Sequence, residues 1–103
     1  VDVYQVIVSP KARKQIHEIT DFVRAESEQG AAMLTEKFEE AIDSLDILPR
    51  RRPVREPRRN SAKTTYGVVV YSYLIYYRVD DAKKIVRITD IRHGARRQPR
   101  RFR

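Results

Sequence analysis

The sequence contains no cysteine, which excludes disulfide frameworks and thiolate metal sites. A reducing, cytoplasmic setting is the expectation that agrees with this. Only two histidines occur, His17 and His93, too few for a His-rich metal centre. The three glycines, Gly30, Gly67 and Gly94, cannot build a Walker loop or a dinucleotide fingerprint. Nucleotide-driven chemistry is therefore not expected, and no cofactor or metal is. No apolar run approaches the roughly 20 residues that span a bilayer, so no membrane partner is expected. The opening residues alternate polar and apolar side chains, unlike the charged and then apolar regions of a signal peptide.

What the chain does hold is charge, and it is unevenly placed. Its 103 residues allow one compact domain with a single core. The hydrophobic fraction is 41% and the charged fraction 35%, which describes a globular chain with a heavily ionised surface. The net charge is +8. Residues 1–49 carry 5 basic and 10 acidic side chains, a net of −5. Residues 50–103 carry 17 basic and 4 acidic side chains, a net of +13. The acidic half reads as framework and the basic half as the surface that meets an anion.

Patterning gives the elements. Val3 to Val8 is β-branched and aromatic, enough for one strand. Ser9 caps a helix and Pro10 suits its first turn, where no amide donor is needed. Ala12, Ile16, Ile19 and Val23 then fall on one helical face, with Phe22 widening it. His17 lies off that stripe and is expected in solvent. Gly30 is the expected break before a second helix. That helix carries Ala31, Leu34, Phe38, Ala41, Leu45 and Leu48 in one stripe, with Ile42 alongside and Pro49 as its stop. The two helices should form an antiparallel hairpin packed on a sheet.

Residues 50–63 lose all periodicity. Arg50, Arg51, Arg52, Arg55, Arg58, Arg59 and Lys63 alternate with Pro53 and Pro57, which predicts a basic loop. Three strands follow, at 64–70, 74–79 and 84–91, with Ser72-Tyr73 and Asp80-Asp81-Ala82 as tight turns. In the last strand, alternation puts Ile85, Arg87, Thr89 and Ile91 on one face and Val86, Ile88 and Asp90 on the other. The order is β-α-α-β-β-β. It predicts a two-layer α+β fold, a helix hairpin on a mainly antiparallel four-stranded sheet. The uncovered sheet face should be rich in tyrosine and arginine. Residues 1–98 are expected to form the domain and 99–103 a basic C-terminal tail.

This order, with its motifs, resembles the RelE/ParE superfamily of bacterial toxins from type II toxin–antitoxin modules, and more its ParE side. The resemblance covers nearly the whole chain. It rests on Ser9-Pro10-Lys11-Ala12 after the opening strand, Leu48-Pro49 after the helix pair, the strand Tyr73-Leu74-Ile75-Tyr76-Tyr77-Arg78-Val79, and the close Ile91-Arg92-His93-Gly94-Ala95-Arg96. It implies a growth-inhibiting toxin of a plasmid-stabilisation system, neutralised by a cognate antitoxin in a hetero-oligomer. ParE-like members act on DNA gyrase; RelE-like members are ribosome-dependent mRNA endonucleases. Nuclease-branch toxins often place an arginine early in the third strand, where this chain has Leu74. Some place a catalytic His or Tyr near the end of the fourth strand, where this chain has Gly94 with His93 just before it. The Arg-His-Gly-Ala-Arg ending is more similar to the ParE side.

The candidate residues follow from both readings. Arg87, Arg92, Arg96 and Arg97 are expected to bind antitoxin or target, since the arginine fork bonds carboxylate and phosphate alike. The resemblance to the nuclease branch implies His93, Arg78, Arg92 and Arg96 as catalytic residues, with Glu56 in Val54-Arg55-Glu56-Pro57 as a possible base. The plainer reading of Glu56 is a loop salt bridge, and that of His93 a strand-end residue that packs or caps. Tyr66, Tyr71, Tyr73, Tyr76 and Tyr77 are candidates for base stacking, although strand alternation sends at least two of them inward. The alternatives are therefore a ParE-like toxin on gyrase, a RelE-like nuclease on ribosome-bound mRNA, and a non-toxic nucleic-acid-binding module whose affinity falls with salt.

Overall fold

A computed structural model describes residues 2–56 and 63–94. Strand β1 (Gln5–Val8) leads into helix α1 (Pro10–Arg24), and helix α2 (Glu28–Asp43) returns antiparallel to it. Strands β2 (Val54–Glu56), β3 (Thr65–Val70), β4 (Tyr73–Asp80) and β5 (Ile85–His93) complete the order. The sheet runs β1-β5-β4-β3-β2. β1 pairs with β5 in parallel, and the other neighbours are antiparallel. The architecture is α+β: two helices cover one face of the sheet, and no described helix packs on the other.

Local chemistry sets the helix boundaries. The Ser9 hydroxyl accepts a hydrogen bond from the Ala12 amide at 3.1 Å, and Pro10 occupies the first turn. The break between the helices falls at residues 25–27, not at Gly30 as expected. Ser27 caps α2 by accepting from the Gly30 amide at 2.9 Å. Gly30 sits inside the first turn because a Cβ there would meet the Ser27 hydroxyl oxygen at 3.1 Å. α2 ends at Asp43, ahead of Pro49, and a 3₁₀ turn carries the chain on through Ser44–Asp46. Leu48 therefore leaves the expected stripe and is exposed, with φ of 50°. Phe22 is likewise exposed rather than part of the α1 stripe.

The sheet has one strand more than expected. Val54 pairs with Tyr66 and Glu56 with Thr65, so part of the basic segment forms an edge strand. The physical reason is that an edge strand keeps its charged side chains in water. The segment also begins with a 3₁₀ turn at Pro49–Arg51. Strand β3 turns into β4 through Tyr71 and Ser72, with Tyr71 in the left-handed region at φ 53°.

The core lies between the helices and the inner face of the sheet. Ala12, Leu34, Phe38, Leu45, Val68, Ile75, Val79, Val86 and Ile88 form it with Tyr66 and Tyr77. These two tyrosines stack at 5.6 Å inside the core, so they are not part of the uncovered face. Tyr77 is fully buried and its hydroxyl donates to the Pro49 carbonyl at 2.5 Å. Tyr77→Phe should cost about 1–2 kcal/mol in urea unfolding, because that carbonyl loses its buried donor. An unchanged midpoint would refute the role of this bond.

A bulge interrupts the β4–β5 ladder. Tyr76 pairs with Asp90, but the next pair is Tyr77 with Ile88, so Thr89 is the extra residue of β5. The strict alternation expected for this strand therefore fails. Val86 and Ile88 face the core, and so does Ile91. Beyond the bulge every side chain is on the face opposite to the one expected.

Candidate functional surface

Cross-strand partners share a face of a sheet, so the register defines the outer surface. Arg78 pairs with Arg87, between the buried pairs Tyr77 with Ile88 and Val79 with Val86. Both arginines therefore lie on the uncovered face. Leu74 pairs with Arg92 beside the buried pair Ile75 and Ile91, which puts Arg92 on the same face. Ile7 adjoins Arg87 from β1. Arg55 of β2 lies over Gly67: a Cβ there would meet Arg55 Nε at 2.8 Å. A side chain at 67 would displace Arg55 from this position.

The sheet thus gathers Arg55, Arg78, Arg87 and Arg92 on one side. It does not bring His93 to them. His93 pairs with Tyr73, and its ring meets Tyr73 edge-on at 4.8 Å. Tyr73 in turn meets Phe38 of α2 edge-on at 5.7 Å, so His93 faces the helices. There it lines a cleft of about 410 Å³ with Gln15, Glu18, Ile19, Phe22, Tyr73 and Ile91. Its Nε2 is 3.4 Å from the Ser72 hydroxyl. Gly94 closes the strand against the Ser72 carbonyl, which a Cβ would approach to 3.0 Å. Glu56 is placed only as a member of β2, and Arg96 and Arg97 lie outside the described residues. His17 is exposed on α1, as expected.

Two residues that sequence reasoning passed over hold the end of β5. Gln15 of α1 donates from Nε2 to Asp90 at 2.6 Å and accepts the Ile91 amide on Oε1 at 2.8 Å. β1 pairs with β5 only as far as Ile88, so Gln15 takes over where the strand partner stops. Asp90 also accepts from Arg92 Nε at 2.9 Å, and Lys11 Nζ is 3.8 Å away. Burial opposes ionisation of Asp90, but the hydrogen bonds from Gln15 and Arg92, with the charge of Lys11, outweigh it. The carboxyl is held below the ordinary aspartate range. The sequence did carry a trace of the bulge: the inward residues Val86, Ile88 and Ile91 include one three-residue step.

The sign of the pH effect follows. A carboxyl lowered in the folded state adds stability above its unfolded value, and that stability is lost as pH falls through the folded value. Asp90→Asn should therefore flatten the acid limb of the stability curve, read as unfolding midpoints between neutral pH and the aspartate range. An acid limb identical to that of the parent chain would refute the assignment.

A second cluster fastens the β4–β5 turn to the segment after α2. Arg50 donates to Asp81 at 2.6 Å and to the Tyr66 hydroxyl at 2.5 Å, and Tyr4 donates to Asp81 at 2.7 Å. Hydrogen bonds from Tyr4 and Arg50 lower the Asp81 pKa. Arg50 is thereby committed to the framework, unlike Arg78 and Arg87 of the outer face.

Among the described residues no group of His, Asp or Glu is placed to hold a metal ion. No described helix is long and apolar enough to cross a membrane.

A small α+β protein with a basic uncovered sheet face is the class that these features define. Residues 6–98 match the family described as the ParE toxin of type II toxin–antitoxin systems, parDE. The chain belongs to this ParE toxin family. Solved structures share its fold. The RelBE2 toxin–antitoxin complex of Mycobacterium tuberculosis aligns at 24% identity and TM-score 0.59, covering 93% of this chain and 97% of that one. An archaeal RelE–RelB complex from Pyrococcus horikoshii aligns at 17% identity and TM-score 0.69, covering 92% and 99%. A chromosomal ParDE system from P. aeruginosa aligns at 15% identity and TM-score 0.68, covering 88% and 96%. No curated protein matches the chain.

Proposed function

We propose that this ParE-family toxin arrests growth in the cytoplasm by binding DNA gyrase, and that a cognate antitoxin neutralises it by covering its basic face. The observation that carries this reading is the separation of His93 from Arg78, Arg87 and Arg92 by the thickness of the sheet. Cleavage of an mRNA phosphodiester needs a proton acceptor and positive charge at one phosphate. Asp90, the carboxylate bonded to Arg92, is held ionised, which makes it a weak base. The surface suits binding through charge better than acid–base catalysis. An antitoxin of opposite charge would associate quickly and lose rate in salt.

Purified protein should inhibit supercoiling by gyrase, and His93→Ala should still arrest growth when expressed without antitoxin. Supercoiling untouched at high excess, together with cleavage of ribosome-bound mRNA that His93→Ala or Arg92→Ala abolishes, would replace this reading with the nuclease one.

A further inference from the structure

Arg78 and Arg87 stand directly opposite each other on adjacent strands. Like charges in this position repel and destabilise a sheet. Neither makes a hydrogen bond or an ion pair among the described residues. The Nε of Arg78 is buried and has no hydrogen-bond partner there, a costly arrangement for a charged donor. By contrast Arg24, Arg50 and Arg92 are each paired with a carboxylate. Among the described residues these three have carboxylate partners and the cross-strand pair has none.

We infer that the Arg78–Arg87 pair is a receptor for a carboxylate carried by an acidic, partly apolar segment of a protein partner. Each guanidinium is a planar fork that a carboxylate completes by bidentate bonding, and the register places the two on neighbouring strands of one face. The surroundings select a peptide over RNA. Ile7, the neighbour of Arg87, and Leu74 are half-buried on the same face, and Val69, the cross-strand partner of Leu74, is 58% exposed. Apolar side chains of a peptide gain from such neighbours, and a phosphodiester does not. Unstacked bases need exposed aromatic rings. Among the described strand residues of this face the aromatic one is Tyr76, which is 5% exposed; Tyr71, 58% exposed, lies in the β3–β4 turn. The inference rests on the reading of a toxin held by a protein partner, and it assigns where that partner's acidic residue is seated.

The test uses the full chain and two labelled probes, a ten-residue peptide of interspersed Glu and Leu and a single-stranded RNA decamer. Binding is followed by fluorescence anisotropy at fixed salt. Arg78→Gln with Arg87→Gln should weaken the peptide by about ten-fold or more, the loss of a bidentate charged contact. Arg13→Gln with Lys14→Gln, the same charge change on α1, should alter it by less than about two-fold, as expected for a distant screened charge. Arg87 is exposed, so Arg87→Gln alone gives a variant whose folding is not at issue. Equal weakening by both double variants would overturn the inference, since the general field would then explain binding. RNA affinity that depends on Arg78 and Arg87 while peptide affinity does not would also overturn it. Failure of the toxin reading is read separately: no growth arrest on expression removes that reading, whatever the peptide does.

Discussion

Insertion of one alanine between Asp90 and Ile91 should destabilise the protein by about 3 kcal/mol or more and expose the amides of β5 beyond the insertion to hydrogen exchange, because it turns a core side chain outward and an arginine inward. Thr89 is the residue that the bulge accommodates between the Tyr77–Ile88 and Tyr76–Asp90 pairs. A position added after the bulge shifts the alternation by one and carries Ile91 to the outer face and Arg92 toward the helices. Ile91 is 4% exposed in the core, and the space it fills is apolar. The Gln15 bond to the Ile91 amide and the Asp90–Arg92 pair would be lost together. The control is Thr89→Ala, which keeps the extra residue and gives up only a long 3.4 Å bond to the Tyr76 carbonyl. It should cost less than about 1 kcal/mol. If the insertion were no worse than this substitution, the register beyond the bulge would not be what aims the end of β5.

Phe38→Ala is the second large effect. Phe38 is 1% exposed and is among the largest fully buried side chains. Removing a buried phenyl ring costs about 3–5 kcal/mol, a large share of the stability of a domain this size. Thermal melts followed by circular dichroism should move down by at least about 12 °C. The loss should also be felt at the site. Phe38 supports Tyr73 and Tyr73 supports His93, so a rise in the exposure of His93 to chemical modification should accompany the lower melting temperature. A shift of only a few degrees would mean that the helix layer is not anchored through this ring.

Much of the arrangement was legible residue by residue. The helix starts were written in Ser9-Pro10 and in the spacing from Ala12 to Val23, because a cap and a hydrophobic stripe are local properties. The three long strands were legible from their β-branched and aromatic runs. The break between helices was misplaced at Gly30 because glycine is a general breaker, whereas the stop here is the Ser27 cap. The fifth strand was hidden because an edge strand needs no apolar periodicity, and its arginines read as a loop. Arg78, Arg87 and Arg92 were picked out by charge alone, without knowledge of which would meet. The Gln15–Asp90 bond joins residues 75 positions apart, and nothing local announces it.

By itself the sequence determined the α+β class, the helix pair, the long strands and the placing of basic charge in the second half. These follow from propensity, periodicity and charge, which act within a few residues along the chain. Tertiary structure alone decided which side of the sheet each functional side chain occupies. The bulge takes Thr89 out of the ladder, so that Arg92 faces outward with Arg78 and Arg87 and His93 turns in against Tyr73. A strand alternates with period two, so a single inserted position reverses every side chain after it. Its place is set by long-range packing, where Ile91 finds the core and Gln15 receives its amide.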